Sequence, residues 1–157
     1  MVKEEMDISG EWIGIITYGK QYEQFAGEKL WFELNLEQTG NKFSGIALDI
    51  RGFGINEFPA RISGLVNHGD IEFDKVYDNE QLLDDLWESR YTGEASVPIQ
   101  YFGSFNEVCQ EFIGTWIITE KFKILKIIPW NIESKGTWSM KRKVSNLITQ
   151  NITTLKT

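Results

Sequence analysis

The run Leu30-Trp-Phe-Glu-Leu-Asn-Leu-Glu-Gln38 alternates without a break, and it constrains the fold more than any other stretch of the chain. In an extended strand, Leu30, Phe32, Leu34 and Leu36 fall on one face, and Trp31, Glu33, Asn35 and Glu37 on the other. One dry face and one wet face mark an antiparallel sheet that encloses its own interior. A parallel sheet covered by helices would be apolar on both faces.

Further runs rich in Ile, Val, Phe, Tyr, Trp and Thr, separated by Gly, Asn and Asp, predict strands at 10–18, 42–50, 59–67, 71–77, 97–104, 112–119 and 135–142. With 30–38 they make an all-β chain of eight strands. Thr39-Gly40-Asn41 and His68-Gly69-Asp70 read as hairpin turns. The connections run to roughly 11, 3, 8, 3, 19, 7 and 15 residues, so long and short alternate. In an up-and-down barrel, odd connections gather at one end and even ones at the other. The expected fold is therefore a single eight-stranded antiparallel up-and-down barrel, with long loops around a mouth and tight turns beneath a floor. Its expected extent is residues 1–143, with 144–157 as a tail.

Two segments break the strand pattern. In 78–93, Leu82, Leu83, Leu86 and Trp87 recur at helical spacing behind Asp78 as N-cap and ahead of Gly93. A short helix inside the longest loop is expected. It would act as a lid over the mouth, with Glu80, Asp84, Asp85 and Glu88 in water. In the tail, Val144, Leu147, Ile148, Ile152 and Leu155 fit one face of a short C-terminal helix. The stretch Lys121–Trp130 is basic and apolar, and reads either as an extension of the last hairpin or as a contact surface.

The charge balance narrows the partners. The 157 residues carry 16 Lys and Arg against 23 Asp and Glu, a net charge of −7, which disfavours nucleic acid. Cys109 is the sole cysteine, so no internal disulfide can form, and the opening MVKEEMD lacks the apolar centre of a signal peptide. No run approaches the roughly 18 uninterrupted apolar residues of a transmembrane helix. A soluble, cytoplasmic protein is expected. Cys109 sits near Glu107 and Glu111, where a thiolate is disfavoured. No Ser-His-Asp set and no metal-ligand cluster can be picked out, so no metal or cofactor is expected and a binding role is favoured over catalysis.

Gly-x-Trp occurs three times, as Gly10-Glu-Trp12, Gly114-Thr-Trp116 and Gly136-Thr-Trp138. Glycine leaves room where a wide indole must pass a neighbouring backbone. The last strand places Gly136, Trp138, Met140 and Arg142 on one face. Together with the topology, Gly10, Trp12 and Arg142 resemble the calycin superfamily, the lipocalin-like and avidin-like barrels. In lipocalins a Gly-x-Trp near the N-terminus closes the floor, and a basic residue of the last strand crosses its indole. The resemblance spans about residues 8–143 and implies a fold with an internal cavity. It does not extend to biotin, because Ile13, Gly14 and Ile15 follow Trp12 where avidins place a hydrogen-bonding Asn. Nor does it extend to haem, because the sole histidine, His68, lies in a turn rather than on a C-terminal strand.

Within Ile71-Glu-Phe-Asp-Lys-Val-Tyr77, period two carries Lys75 inward with Phe73 and Tyr77. A lumenal ammonium needs a counter-charge. Three readings are open: an acidic head group on a ligand, with Tyr77 and Tyr101 hydrogen-bonding to it, a structural pair with Asp49, or a lysine hydrated at the mouth. Strand 42–50 cannot be oriented, because Ile46, Leu48 and Ile50 are as apolar as Phe43, Gly45 and Ala47. The expected ligand wall is Tyr18, Phe32, Phe73, Lys75, Tyr77, Tyr101, Trp116 and Trp138, suited to a small apolar or aromatic molecule carrying an acidic group. The alternatives are an interaction module with a filled barrel, meeting a protein partner through Trp31 or the patch near Trp130, and an isomerase or cyclase of calycin type; the apolar face of the 78–96 loop could instead form a homodimer contact.

Overall fold

The computed structural model describes residues 6–83, 88–122 and 130–144, with backbone alone at Leu83, Ser89, 119–122 and 130–133. Its strands are β1 (Gly10–Tyr18), β2 (Lys29–Thr39), β3 (Lys42–Gly52), β4 (Ala60–Asn67), β5 (Asp70–Tyr77), β6 (Gln81–Leu83), β7 (Ser89–Tyr91), β8 (Ile99–Asn106), β9 (Glu111–Phe122) and β10 (Trp130–Arg142). Eight of them close a barrel in the order β1-β10-β9-β8-β5-β4-β3-β2, and β6 and β7 form a separate ribbon. Every neighbouring pair in the barrel is antiparallel. The up-and-down barrel expected from alternation and loop parity is the observed fold.

The inward rows come from the expected alternation. Leu30, Phe32, Leu34 and Leu36 of β2 are all buried, and so are Phe43 and Ala47 of β3. The orientation of β3 is now fixed, and it is the less apolar face that points in. Ile46, Leu48 and Ile50 remain 56%, 48% and 44% exposed on the outer wall. A bulge between Trp31 and Phe32 then re-registers the pair, so that Phe32 faces Asp49 and Trp31 faces Arg51. Outside, the Arg51 guanidinium stacks 4.3 Å from the Trp31 ring centre.

At the floor, Trp12 is buried and its Nε1 donates to the Ile8 carbonyl at 2.8 Å. Arg142, the cross-strand partner of Trp12, lies over the indole at 4.7 Å and donates to the carbonyls of Ser9 and Asp7. Above this layer the lumen is filled by rings. Phe73 and Tyr101 stack at 4.5 Å and 7°, and Trp138 meets both edge-on at 5.3 and 5.6 Å. The glycines make room for indoles across strands: a Cβ on Gly136 would stand 2.7 Å from Trp116 Nε1, and one on Gly103 would stand 2.8 Å from Trp138.

Two sequence expectations change. Residues 78–93 do not form a helix on either side of the undescribed 84–87. Gln81 pairs with Tyr91, Leu82 with Arg90 and Leu83 with Ser89 as a β-ribbon. The reason is visible at Asp78, whose carboxylate pairs with Arg61 at 3.1 Å while its N–H donates to Pro59, so it caps nothing. Among the described residues, the one short helix is instead a 3-10 turn, Lys20–Phe25, between β1 and β2. Of the expected lid, Asp84, Asp85, Leu86 and Trp87 lie outside the described residues, as does the expected tail helix beyond Val144. The Lys121–Trp130 stretch has its two ends in β9 and β10, where Phe122 pairs with Trp130, and 123–129 lie outside the described residues.

Candidate functional site

Strand alternation sends Lys75 into the lumen with Phe73, as expected, and leaves it 0% exposed. Its Nζ lies 3.3 Å from Asp49 Oδ1, and both side chains are sealed from solvent. Of the readings open for Lys75, the structure contains the pair with Asp49, and full burial rules out a lysine hydrated at the mouth. Asp49 reaches the lumen because Phe43, Gly45 and Ala47 do, and period two continues through it.

The carboxylate is almost fully engaged. Tyr77 Oη donates to it, 3.0 Å from Oδ1 and 2.8 Å from Oδ2, and the Asn56 backbone N–H donates to Oδ2 at 3.0 Å. The ammonium also rests on aromatic faces, 3.9 Å from the Phe32 ring centre and 4.8 Å from that of Tyr77. Burial pushes the Lys75 pKa down, and the charge of Asp49 opposes the shift. Burial pushes Tyr77 well up, and the Asp49 charge adds to it, so the phenol stays protonated and donates.

Tyr101 is the exception in this cluster. Its side chain is fully buried, yet its hydroxyl has no hydrogen-bonding partner. It stands across from Phe73 on β5, one step down the lumen face from the Lys75–Ile99 pair, so Lys75 is its diagonal neighbour. Burial raises its pKa well above the ordinary tyrosine value, with Asp49, Tyr18 and Tyr22 adding in that order. Asp49 and the phenols of Tyr18, Tyr22 and Tyr101 are therefore within electrostatic reach of one another.

The mouth is crossed by the loop between β3 and β4. Tyr18 Oη donates to the Phe53 carbonyl at 2.9 Å, and Gly54, at φ +77°, leaves space where a Cβ would stand 2.7 Å from that hydroxyl. Asn56, 3% exposed, donates from Nδ2 to the Asn79 carbonyl at 2.7 Å and accepts at Oδ1 from the Phe58 N–H. The β6–β7 ribbon braces this loop through Tyr91, whose hydroxyl accepts from the Glu57 N–H and whose ring meets Phe58 at 4.9 Å. Tyr22 of the 3-10 turn packs against Tyr18 at 4.8 Å and against Trp116 at 6.3 Å.

All eight residues expected to form the ligand wall line the lumen or its rim, but in two layers. Phe73, Tyr101 and Trp138 form the aromatic plug; Lys75 and Tyr77 join Asp49 above it, and Tyr18 and Trp116 stand by the mouth. Phe32 touches both layers, 6.4 Å from Tyr101 and beneath the Lys75 ammonium. Sequence reasoning missed Asn56. Its loop carries Gly, Asn and Pro and reads as an ordinary connection, so nothing local marks a buried amide.

On the outer wall, a cleft of about 550 Å³ runs between β1, β2 and β3, lined in part by Glu11, Glu33, Ile46, Leu48 and Lys143. Among the described residues, no group of three His, Cys, Asp or Glu side chains could hold a metal ion. Among them, too, no helix is long and apolar enough to cross a membrane. Fold and site define a closed eight-stranded antiparallel barrel with a buried acid–amine pair beneath its mouth. Neither models of known families, nor curated proteins, nor solved structures match the chain.

Proposed function

We propose that the barrel is a small-molecule binding protein of calycin type whose guest occupies the upper lumen and hydrogen-bonds to Tyr101. The calycin reading is supported by Gly10, Trp12 and Arg142, whose floor contact is that of the lipocalin-like barrels. The binding reading is carried by the partnerless Tyr101 hydroxyl. An unsatisfied buried hydroxyl costs about 1–3 kcal/mol, and a phenylalanine would avoid that cost in the same plug. A guest oxygen or nitrogen would satisfy it.

The site also selects for charge. Lys75 and Asp49 already neutralise each other. An anionic guest would add a second, unpaired negative charge to a dry site, which is strongly unfavourable. The guest is accordingly a neutral apolar or aromatic molecule with one hydrogen-bonding group, rather than the acid that an unpaired lysine would require. A thermal-shift and calorimetric panel of aromatic alcohols, ketones and aldehydes, with their matched carboxylic acids, tests this. Neutral members should raise Tm more than their acids, and Tyr101→Phe should weaken them by about 0.5–1.5 kcal/mol. A panel in which nothing stabilises the protein, or in which Tyr101→Phe binds equally well, would refute the reading.

A second reading, an interaction module with a packed barrel, has its own observation in the exposed row Ile46, Leu48 and Ile50. If a second copy covers this row, sedimentation will show a concentration-dependent dimer that Leu48→Lys abolishes.

A further inference from the structure

We propose that Lys75 captures a neutral carbonyl guest covalently, as a protonated imine with Asp49 as its fixed counter-ion. This rests on the lumen-binding reading and adds the chemical class of the guest. The amine stands inside the barrel against two ring faces, 3.9 Å from Phe32 and 4.8 Å from Tyr77, which would flank a flat conjugated guest only once they part to admit it. A carboxylate sits at 3.3 Å on one side, and a hydroxyl without a partner lies one diagonal step away on the neighbouring strand. Those are the groups that imine formation uses: an amine, a base for its proton and a hydrogen-bond donor for the carbonyl oxygen.

The step balances without any outside reactant. The ammonium gives a proton to Asp49, and the freed lone pair on Nζ attacks the carbonyl carbon as the C=O π bond breaks toward oxygen. Tyr101 donates a hydrogen bond to that oxygen as its charge develops. The proton held by Asp49 and a second from nitrogen leave with the oxygen as water while the C=N bond forms. Of the three ammonium hydrogens, two depart in water and one stays on nitrogen. Ammonium plus aldehyde therefore becomes iminium plus water, with one positive charge before and after. The pairing with Asp49 survives the reaction, whereas a guest acid would disrupt it. Burial, by lowering the Lys75 pKa, increases the fraction of free amine. Surface lysines hold only about one part in a few thousand as free amine at neutral pH.

The test uses the full-length protein with trans-cinnamaldehyde, sodium cyanoborohydride to reduce any imine, and peptide mapping by mass spectrometry. Lys75 should label at least about tenfold faster than any exposed lysine. Before reduction, the protonated imine should absorb to the red of free aldehyde, and this band should shift back in Asp49→Asn, where loss of the counter-ion lets the buried iminium give up its proton. Because Lys75→Met alone strands a buried carboxylate, the control is the double variant Lys75→Met, Asp49→Asn, which should show no lumenal adduct. Adducts confined to exposed lysines would overturn the proposal. Cinnamyl alcohol, which cannot form an imine, separates the two readings. If it stabilises wild type but not Tyr101→Phe while Lys75 stays unlabelled, binding stands and covalent capture falls; if it also fails to bind, both fall.

Discussion

Lys75 Nζ and Asp49 Oδ1 lie 3.3 Å apart with both side chains sealed from solvent, on strands separated by β4. The pair reaches across the inner face of β4, whose Ile62 is the cross-strand partner of Lys75. Removing one member of such a pair leaves the other charge buried, which typically costs about 3–5 kcal/mol, whereas removing both together costs far less. Chemical denaturation of Lys75→Met, of Asp49→Asn and of the double variant should therefore show the double variant more stable than either single one. Additive losses would mean that the two charges are not coupled.

Alkaline pH should expose the buried phenols. Tyr77 and Tyr101 have pKa values well above the ordinary 10.0, and Tyr18 is also raised, in each case first by burial. A raised folded-state pKa contributes stability that is intact below pH 10.0 and lost as pH climbs from there toward the folded value. Each phenol then removes about 1.4 kcal/mol per pH unit. Lys75 acts in the opposite sense: its lowered pKa makes stability rise with pH up to 10.5, as the unfavourable buried charge is shed. Tm should fall steeply above pH 10, with a shallower slope in Tyr101→Phe. Phenolate absorbance of Tyr18, Tyr77 and Tyr101 should appear only with unfolding.

The floor should respond unequally to its two partners. Trp12 is buried and bonded to Ile8, so Trp12→Ala should cost about 3–5 kcal/mol through the cavity it opens. Arg142 stacks on that indole and ties down Ser9 and Asp7 from an exposed position. Arg142→Ala should cost about 1–2 kcal/mol. Equal losses in the two melting curves would contradict this division of labour.

Much of this architecture can be read along the chain, because strand alternation is a local signal. Leu30 through Gln38 declares its buried face residue by residue, and Phe73, Lys75 and Tyr77 follow from the same period. Strand β3 could not be oriented because its outward row, Ile46, Leu48 and Ile50, is as apolar as a core row. What turns the small residues inward is tertiary. A Cβ on Gly45 would collide with the Asn35 carbonyl, and Ala47 is fully buried. Asp49 could be named as a partner for Lys75 but not chosen, by the same ambiguity, since Asp49 belongs to β3. The 78–93 segment misled for a different reason. Leu82 and Leu83 suit a helix face and a ribbon equally well, and pairing with Arg90 and Ser89 decides between them.

Access to the lumen should be governed by the β3–β4 loop, and Asn56 is the residue that fixes it. Its backbone N–H bonds to the Asp49 carboxylate, its Nδ2 to Asn79, and its Oδ1 accepts from Phe58, so one buried residue ties the loop to the lumen pair and to the neighbouring segment. Asn56→Ala removes the two side-chain bonds and leaves the Asn79 carbonyl and the Phe58 N–H unpaired. The expected loss is about 1–3 kcal/mol. Asn56→Asp should be worse, because a carboxylate oxygen would then face the Asn79 carbonyl and add negative charge beside Asp49. Since the strands are held by their own ladders, the damage should stay local. Amide exchange at 53–58 should accelerate in Asn56→Ala while β2 and β9 keep wild-type protection. Association and dissociation of a lumenal guest should both speed up, with a smaller change in Kd, because the loop guards the path rather than the seat of binding. Unchanged exchange at 53–58, or faster exchange spread over the whole barrel, would show that the loop is not the gate.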